Sequence, residues 1–373
     1  WKEVKLGEVT CERNETNTPT LPLLSITANK GVIPQTDSEK KDVSNADKSK
    51  YKRICSGDIG YNTMRMWQGR SALSFVEGIV SPAYTIVTPL KGVSPLFLSY
   101  LIKRPRLIYE FWTHSQGLVE DTLNCKYKDF AQITITIPSL PEQRKIAALL
   151  SLIDERIEVQ NAISNDLESL IVGFYSSVQY ATKAGWHKVR LRDLLTIREE
   201  QNTSGSYEVY SVSVSRGIVN QIVHLGRSFA AANTSNYGVV HPGDLVYTKS
   251  PTGQFPFGIV KQNHNASPVA VSPLYGVYRP ISPEVGTLLH YFFLSPLRAN
   301  NYLAPLIQKG AKNTINIRTD HFLDNVVLLP KEEKELRCIA DCLLALDERL
   351  SVEREYAEQL KQQKAYLLRQ MFI

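Results

Sequence analysis

The chain has 373 residues, 43 basic and 37 acidic side chains, and a formal net charge of +6; 43% of its residues are hydrophobic and 21% charged. That composition suits a globular protein of two or three domains and excludes a disordered chain. No apolar run approaches the roughly 18 residues of a membrane span, residues 147–153 being among the longest, and no signal-peptide pattern opens the chain.

From the N-terminus, the first 140 residues are broken often by Gly, Pro, Asn and Ser. The spacing predicts one helical stretch over Pro95–Phe111 and a short β-run at Gln132–Pro138. A long helix is expected to start beside Pro141 and run to about Gln179. Its seam positions step by four and three, weaker in the middle at Gln160 and Ser164: Ile146, Leu150, Ile153, Ile157, Gln160, Ser164, Leu167, Ile171, Phe174 and Val178. That is a heptad seam. Residues 181–330 repeat the first pattern, with a β-run at Tyr207–Val214 and a helical stretch at Pro283–Ile307. From Lys331 to the end a second long helix carries the seam Ile339, Leu343, Leu346, Leu350, Glu353, Ala357, Leu360, Lys364, Leu367 and Met371. A forty-residue helix is on the order of 60 Å long, and one with a single apolar stripe needs a partner. Each long helix is the natural partner of the other, lying antiparallel.

The chain is thus an internal repeat, a signal worth seeking before any other. Trp1-Lys-Glu-Val-Lys-Leu6 returns as Trp186-His-Lys-Val-Arg-Leu191, and Ser25–Val32 returns as Ser211–Ile218. Tyr51, Gly57-Asp58 and Tyr61 return as Tyr237, Gly243-Asp244 and Tyr247. Ser81-Pro82-Ala-Tyr84 returns as Ser272-Pro273-Leu-Tyr275, and Asp154-Glu-Arg-Ile157 as Asp347-Glu-Arg-Leu350. Order is kept while the offset drifts from 185 to 193. The expected fold is α+β: two tandem α/β domains, 1–140 and 181–330, each followed by a long α-helix, 141–180 and 331–373, the two helices packing as an antiparallel coiled coil. Charge follows the same division. The four segments carry +4, −3, +6 and −1 in order, so the mild total conceals two basic modules on acidic rods. Basic modules suit a polyanion and the rods suit protein contacts. Two related modules on a rigid spacer would read two separated patches of one long ligand, for which duplex DNA is the natural candidate.

The alternation of basic domain and helix resembles the specificity subunit of type I restriction-modification systems. The carrying residues are the openings at Trp1 and Trp186, the Gly57-Asp58 and Gly243-Asp244 pairs, and the two Ser-Pro-x-Tyr segments. The most family-like stretch is Leu140-Pro-Glu-Gln-Arg-Lys-Ile-Ala147 with Ile153-Asp-Glu-Arg-Ile157; the second copy departs from it, with Glu333-Lys-Glu-Leu-Arg-Cys-Ile-Ala340. The resemblance implies that the globular parts are target recognition domains, each reading half of a bipartite, asymmetric double-stranded DNA target. It also implies that the helices dock two methyltransferase subunits, that motor-nuclease subunits complete the assembly, and that the chain itself is no enzyme and works in the cytoplasm away from membranes. Two other readings compete: a subunit of a related type IIB-like methyltransferase-nuclease, and a coiled-coil scaffold without a DNA role.

Base readout needs side chains with paired donors or acceptors, such as Arg, Lys, Asn and Gln, in loops between strands. The first candidate pair is Asn62, Thr63, Arg65, Trp67, Gln68 and Arg70, matched by Thr248, Lys249, Ser250, Thr252 and Gln254. The second is Asn29 and Lys30, matched by Arg216. The third is Gln116, matched by Lys309, with Lys312, Asn313 and Arg318 following. Gly57-Asp58 and its copy read as structural turns, and Trp1 and Trp186 as packing residues. Subunit contacts are assigned to the helices bearing Ile146, Leu150, Ile153, Ile157, Leu167, Ile171, Phe174, Ile339, Leu343, Leu346, Leu350, Leu360 and Leu367. No methyltransferase Asn-Pro-Pro-aromatic segment, Gly-rich dinucleotide loop or Walker A sequence is present, so no cofactor is expected. The five cysteines, odd in number and irregular in spacing, fit free thiols in a reducing compartment. Cys338 and Cys342 stand four apart with no further ligand to complete a metal set, and are expected to be buried or partly buried thiols.

Overall fold

The computed structural model describes the chain except for residues 19, 28–29, 39–41, 43, 120–121, 182–184, 223–232, 310–314 and 373, and except for the side chains of residues 308, 309, 315 and 316. It divides into two compact units: Trp1–Gln160 with Tyr356–Ile373, and Asn161–Glu355.

Each unit is built on the same four-stranded antiparallel sheet. In the first unit the strand order is Thr10–Glu12, Tyr84–Pro89, Ile59–Asn62, Ser71–Leu73. In the second it is Leu195–Ile197, Gly276–Pro280, Leu245–Thr248, Ile259–Gln262. Around this sheet each unit adds the same pairs in the same order. Hairpins join Leu24–Ile26 to Val32–Pro34 and Tyr210–Ser213 to Gly217–Asn220. Lys52–Ile54 pairs with Gly78–Val80, as Gly238–Val240 does with Val269–Val271. Each unit's opening strand pairs antiparallel with the strand just before the long helix: Lys2–Lys5 with Thr134–Ile137, and Trp186–Arg190 with Val326–Pro330. That ladder explains the matched openings, because it fastens the start of each domain to its exit. Of the two tryptophans, Trp186 packs as expected, 6% exposed and edge-on to Tyr175, whereas Trp1 is 41% exposed.

The helical stretches differ from the expectation in one respect: each is two helices. Pro95–Leu101 is followed by Pro105–Thr113, and Pro283–Leu294 by Pro296–Leu303. A proline cannot donate into the preceding turn and disfavours helical backbone in the residue before it, but it suits the first turn of a new helix. Three of the four helices open on a Ser-Pro pair, where the serine hydroxyl accepts the N–H of Phe97, Val285 or Arg298.

The long helices span Leu140–Ala181 and Glu333–Gln370. In the first unit Lys364 bonds Asp154, while the later residue Phe372 shares a core with the earlier Ile146 and Leu150. In the second unit Arg354 bonds Glu168, while Ile171 and Tyr175, further along, join Ile339, Leu343 and Leu350. In both units the two helix segments therefore run antiparallel. Every expected seam position is buried or half-buried, including the polar Gln160, Ser164 and Glu353. The domain cores also correspond: Tyr61 stacks on Phe130 at 5.3 Å and Tyr247 on Phe322 at 4.7 Å.

Candidate nucleic-acid interface

The Gly-Asp pairs are structural, each aspartate holding an arginine of its own unit. Asp58 is 1% exposed and accepts Arg13 Nε at 2.7 Å, Thr88 Oγ1 at 2.7 Å and the Cys55 N–H at 2.8 Å. Asp244, 2% exposed, accepts Arg198 Nε at 2.6 Å, Arg198 Nη2 at 3.1 Å and the His241 N–H at 2.8 Å. Arg13 also pairs with Glu15, and Arg198 with Glu200. A charge buried this far needs its partners satisfied; here both units satisfy it in the same way. The bond to Asp58, outweighing the cost of burial, raises the Arg13 guanidinium above its usual range. The arginines were missed by the sequence reading, although Arg13-x-Glu15 and Arg198-x-Glu200 repeat at the offset of 185 found for the openings.

This frame sets the central strand from which the first loop pair springs. Asn62 ends its strand, and the chain returns at Ser71 after a loop closed by Asn62 N–H to Arg70 O at 3.0 Å. Inside the loop, Met66–Gln68 forms a single 3-10 turn ended by Gly69 at φ 73°. The Asn62 side chain accepts the Met64 N–H at 3.0 Å, and the Trp67 indole donates to Met64 O at 3.0 Å. Both therefore brace the loop from within. Thr63 likewise bonds Ala83 O, at 3.0 Å, while Gln68 and Arg70 face solvent and Arg65 is half-buried. In the second unit the loop runs between Thr248 and Ile259. Thr248 is a correction: it is 3% exposed within the sheet, and its hydroxyl accepts the Ser250 N–H at 3.3 Å, so its side chain belongs to the frame. Lys249 is half-buried and Ser250, Thr252 and Gln254 are exposed. Phe255, 6% exposed, anchors the tip through reciprocal backbone bonds with Thr252, and Asn300 donates to Gln254 O at 3.1 Å. Gly258, at φ 100°, closes the loop where a Cβ would lie 2.0 Å from Thr248 O, so no other residue fits. Neither loop contains a carboxylate, and each carries cations: Arg65 and Arg70 in one, Lys249 in the other.

The second pair are the tips of the two small hairpins. Lys30 and Arg216 are both exposed, each beside a glycine of positive φ; Asn29 lies outside the described residues. The third pair is again one hairpin in two copies: Gln116 bridges Asn124 as Gln308–Lys309 pairs with Ile315–Asn316. Gln116 is exposed, and its amide donates to Asp129 at 3.1 Å. Lys312 and Asn313 lie outside the described residues, as does the side chain of Lys309. Arg318 is exposed and engaged with Asp320 at 2.9 Å.

On the helix side, Gln143 of the family-like stretch is 1% exposed. Its carbonyl accepts the Ser94 N–H at 2.9 Å, and its amide donates to Pro138 O at 3.0 Å and Gly92 O at 3.3 Å. It clamps the domain onto the root of the helix. Leu336 takes the matching position in the second copy and packs against an apolar core instead, which is how that departure is accommodated. Cys338 and Cys342 are both exposed, contrary to expectation: they sit one residue off the seam, on the side facing solvent. Among the described residues no group of three or more His, Cys, Asp or Glu is placed to hold a metal ion, and no helix is long and apolar enough to cross a membrane.

Residues 1–169 match the model of the family described as the type I restriction modification DNA specificity domain. No curated protein matches the chain. Among solved structures, it is similar to the type I restriction-modification S subunit from M. genitalium, at 13% identity and TM-score 0.57, covering 100% of this chain and 96% of that one. A chain from a structure concerning complex assembly and conformational transition of the type I R-M system matches at 16% identity and TM-score 0.54, over 99% and 96%. The HsdS subunit from Thermoanaerobacter tengcongensis matches at 19% identity and TM-score 0.44, over 100% and 96%.

Proposed function

We propose, from the match of residues 1–169 to the type I restriction modification DNA specificity domain, that the chain is the targeting subunit of a type I restriction-modification complex, with one reading domain in 1–140 and another in 181–330. The subunit is non-catalytic; methylation and cleavage reside in its partners. The observation that carries the reading is a conserved frame under unlike loops. Arg13–Asp58 and Arg198–Asp244 hold the same strand in the same sheet. From that strand spring Asn-Thr-Met-Arg-Met-Trp-Gln-Gly-Arg70 in one unit and Lys-Ser-Pro-Thr-Gly-Gln-Phe255 in the other. Equal frames with different donors and acceptors are what two unlike half-sites require.

Gln68, Arg70, Lys249, Ser250, Thr252 and Gln254 would face bases, with Lys30, Arg216 and Gln116 on flanking tips. The long helices would set the gap between half-sites and dock two methyltransferase subunits, to which motor-nuclease subunits add. For docking, the first helix keeps Leu149, Leu152, Val159, Ile163 and Leu170 exposed, off the seam and at steps of three, four or seven. The test is sequencing of methylated sites in a host carrying this subunit and its cognate methyltransferase. Two short strings at a fixed gap are expected; a continuous site, or methylation independent of the subunit, would defeat the reading.

A further inference from the structure

The helix Pro105–Thr113 of the first unit carries two exposed aromatic rings beside the candidate reading loop. Tyr109 is 61% exposed and Trp112 46%, and their ring centres lie 5.8 Å apart with the planes tilted by 34°. The helix packs on the Met66–Gln68 turn, and a Cβ on Gly69 would stand 3.0 Å from Ile108 Cδ1. Trp112, one turn along from Ile108, is on the side of the helix that meets the loop, and Tyr109 neighbours it. The repeat shows how these positions are used in the other unit. Pro105 matches Pro296, and six residues on Phe111 matches Tyr302, each packed against the equivalent core ring, Phe130 or Phe322. In that register Tyr109 matches Asn300 and Trp112 matches Leu303. Asn300 donates to Gln254 O of the second loop at 3.1 Å, and Leu303 is wholly buried. The Tyr109 position is thus a loop contact in the second unit, while in the first it belongs to an aromatic pair that the fold leaves exposed. The surroundings are cationic. Arg65 and Arg70 lie in the loop, and the exposed Arg106 stands three residues before Tyr109. The one carboxylate of the helix, Glu110, projects from the side opposite Trp112 and lies 3.7 Å from His114.

We propose that Tyr109 and Trp112 form a stacking platform for a nucleobase exposed in the first half-site, a contact that rests on the reading of the 62–70 loop as a DNA reader. A duplex that meets Gln68 and Arg70 brings its phosphates toward the arginines and its base steps toward the rings. A base presented to a methyltransferase must leave the stack, at a cost in stacking energy. The base left beside or opposite the gap then has a bare face, which an aromatic ring can cover. Rings bordered by Arg65, Arg70 and Arg106 suit such a base together with its phosphates. Stacking accepts any base, since each offers a π-face, so the platform stabilises the opened duplex and leaves sequence choice to the loop. Asn300 and Leu303 offer no such ring, so the opened step is supported in this way in one half-site only.

The test uses the full chain assembled with its cognate methyltransferase on a duplex carrying the methylated target. Tyr109→Asn with Trp112→Leu, which copies the second repeat, should weaken binding about tenfold to a hundredfold and leave the methylated sequence unchanged. 2-Aminopurine next to or opposite the methylated base of the first half-site should stay dim in the parent complex and brighten severalfold with the double variant. In the second half-site the two should read alike. Tyr109→Phe with Trp112→Phe keeps both rings and should keep the parent's affinity and quenching. If the Asn and Leu variant binds and quenches as the parent does, the platform is overturned and the targeting function stands. A loss of assembly with the methyltransferase, at unchanged quenching in what does assemble, makes the patch a protein contact and overturns it as well. A parent without target-specific binding removes the platform and the targeting function together.

Discussion

Lys261 makes a quantitative prediction about the second unit. Burial, only partly offset by Asp347, lowers its pKa from 10.5 to about 8. A base whose pKa is lower in the folded than in the unfolded chain destabilises the fold wherever the unfolded chain is protonated. Below pH 8 both states are protonated and the full cost is present; at 1.36 kcal/mol per pKa unit it is about 3 kcal/mol. Between pH 8 and 10.5 the folded state releases its proton first, so stability rises with pH through that window. Lys261→Met removes the titration and keeps much of the side-chain volume. At pH 7 it should be more stable than the parent by on the order of 3 kcal/mol, and the difference should shrink by that amount on reaching pH 10.5. Trp186 is the sole tryptophan of the second unit, Trp1, Trp67 and Trp112 lying in the first. Urea melts followed through the fluorine resonance of 5-fluorotryptophan at Trp186 would therefore report on this unit alone. A difference that stays flat from pH 7 to 10.5 would refute the argument, whatever its size.

Asp58→Ala should cost about 3–5 kcal/mol in the first unit by leaving Arg13 without its buried partner, and Arg13→Met added to it should recover part of that, as measured in the same melts through Trp67. Gln143→Leu, which copies the second repeat, should cost about 1–3 kcal/mol, because the Ser94 N–H and two carbonyls lose a buried partner; an unchanged melt would show that the clamp is dispensable. Gln68→Ala with Arg70→Ala should relax discrimination in one half-site by roughly 1–3 kcal/mol and leave the other untouched; methylation sequencing that shows both halves relaxed, or neither, would count against the loop assignment. Removing one heptad in phase from both long helices shortens each by ~10.5 Å, and the recognised gap should shrink or methylation fail; an unchanged gap would remove the helices as its ruler.

How legible these features were depended on whether their cause was local. The duplication was legible because the frame must hold the same strand twice, so its residues recur in order. The long helices were legible because a seam repeats every seven residues regardless of what covers it. The domain helices were misread as continuous because apolar spacing runs through Pro105 and Pro296 unchanged, while the break comes from a missing N–H and a steric clash. The two exposed cysteines show the converse: residues beside a seam share its spacing, and their burial depends on how wide a stripe the partner covers.

Lys261 lies at the far end of that scale. Nothing near it in sequence marks it as buried, since a lysine in a strand reads as a solvated face. What makes it intelligible is a comparison between the repeats at three places: Ala72 against Lys261, Ile171 against Lys364, and Asp154 matched by Asp347. Asp154 is bonded by Lys364, a pairing that Ile171 cannot repeat in the second unit, and Lys261 is buried where the first unit has Ala72. On this view the frame residues are held alike because both domains need the same strand, and the loops would differ because the proposed half-sites differ.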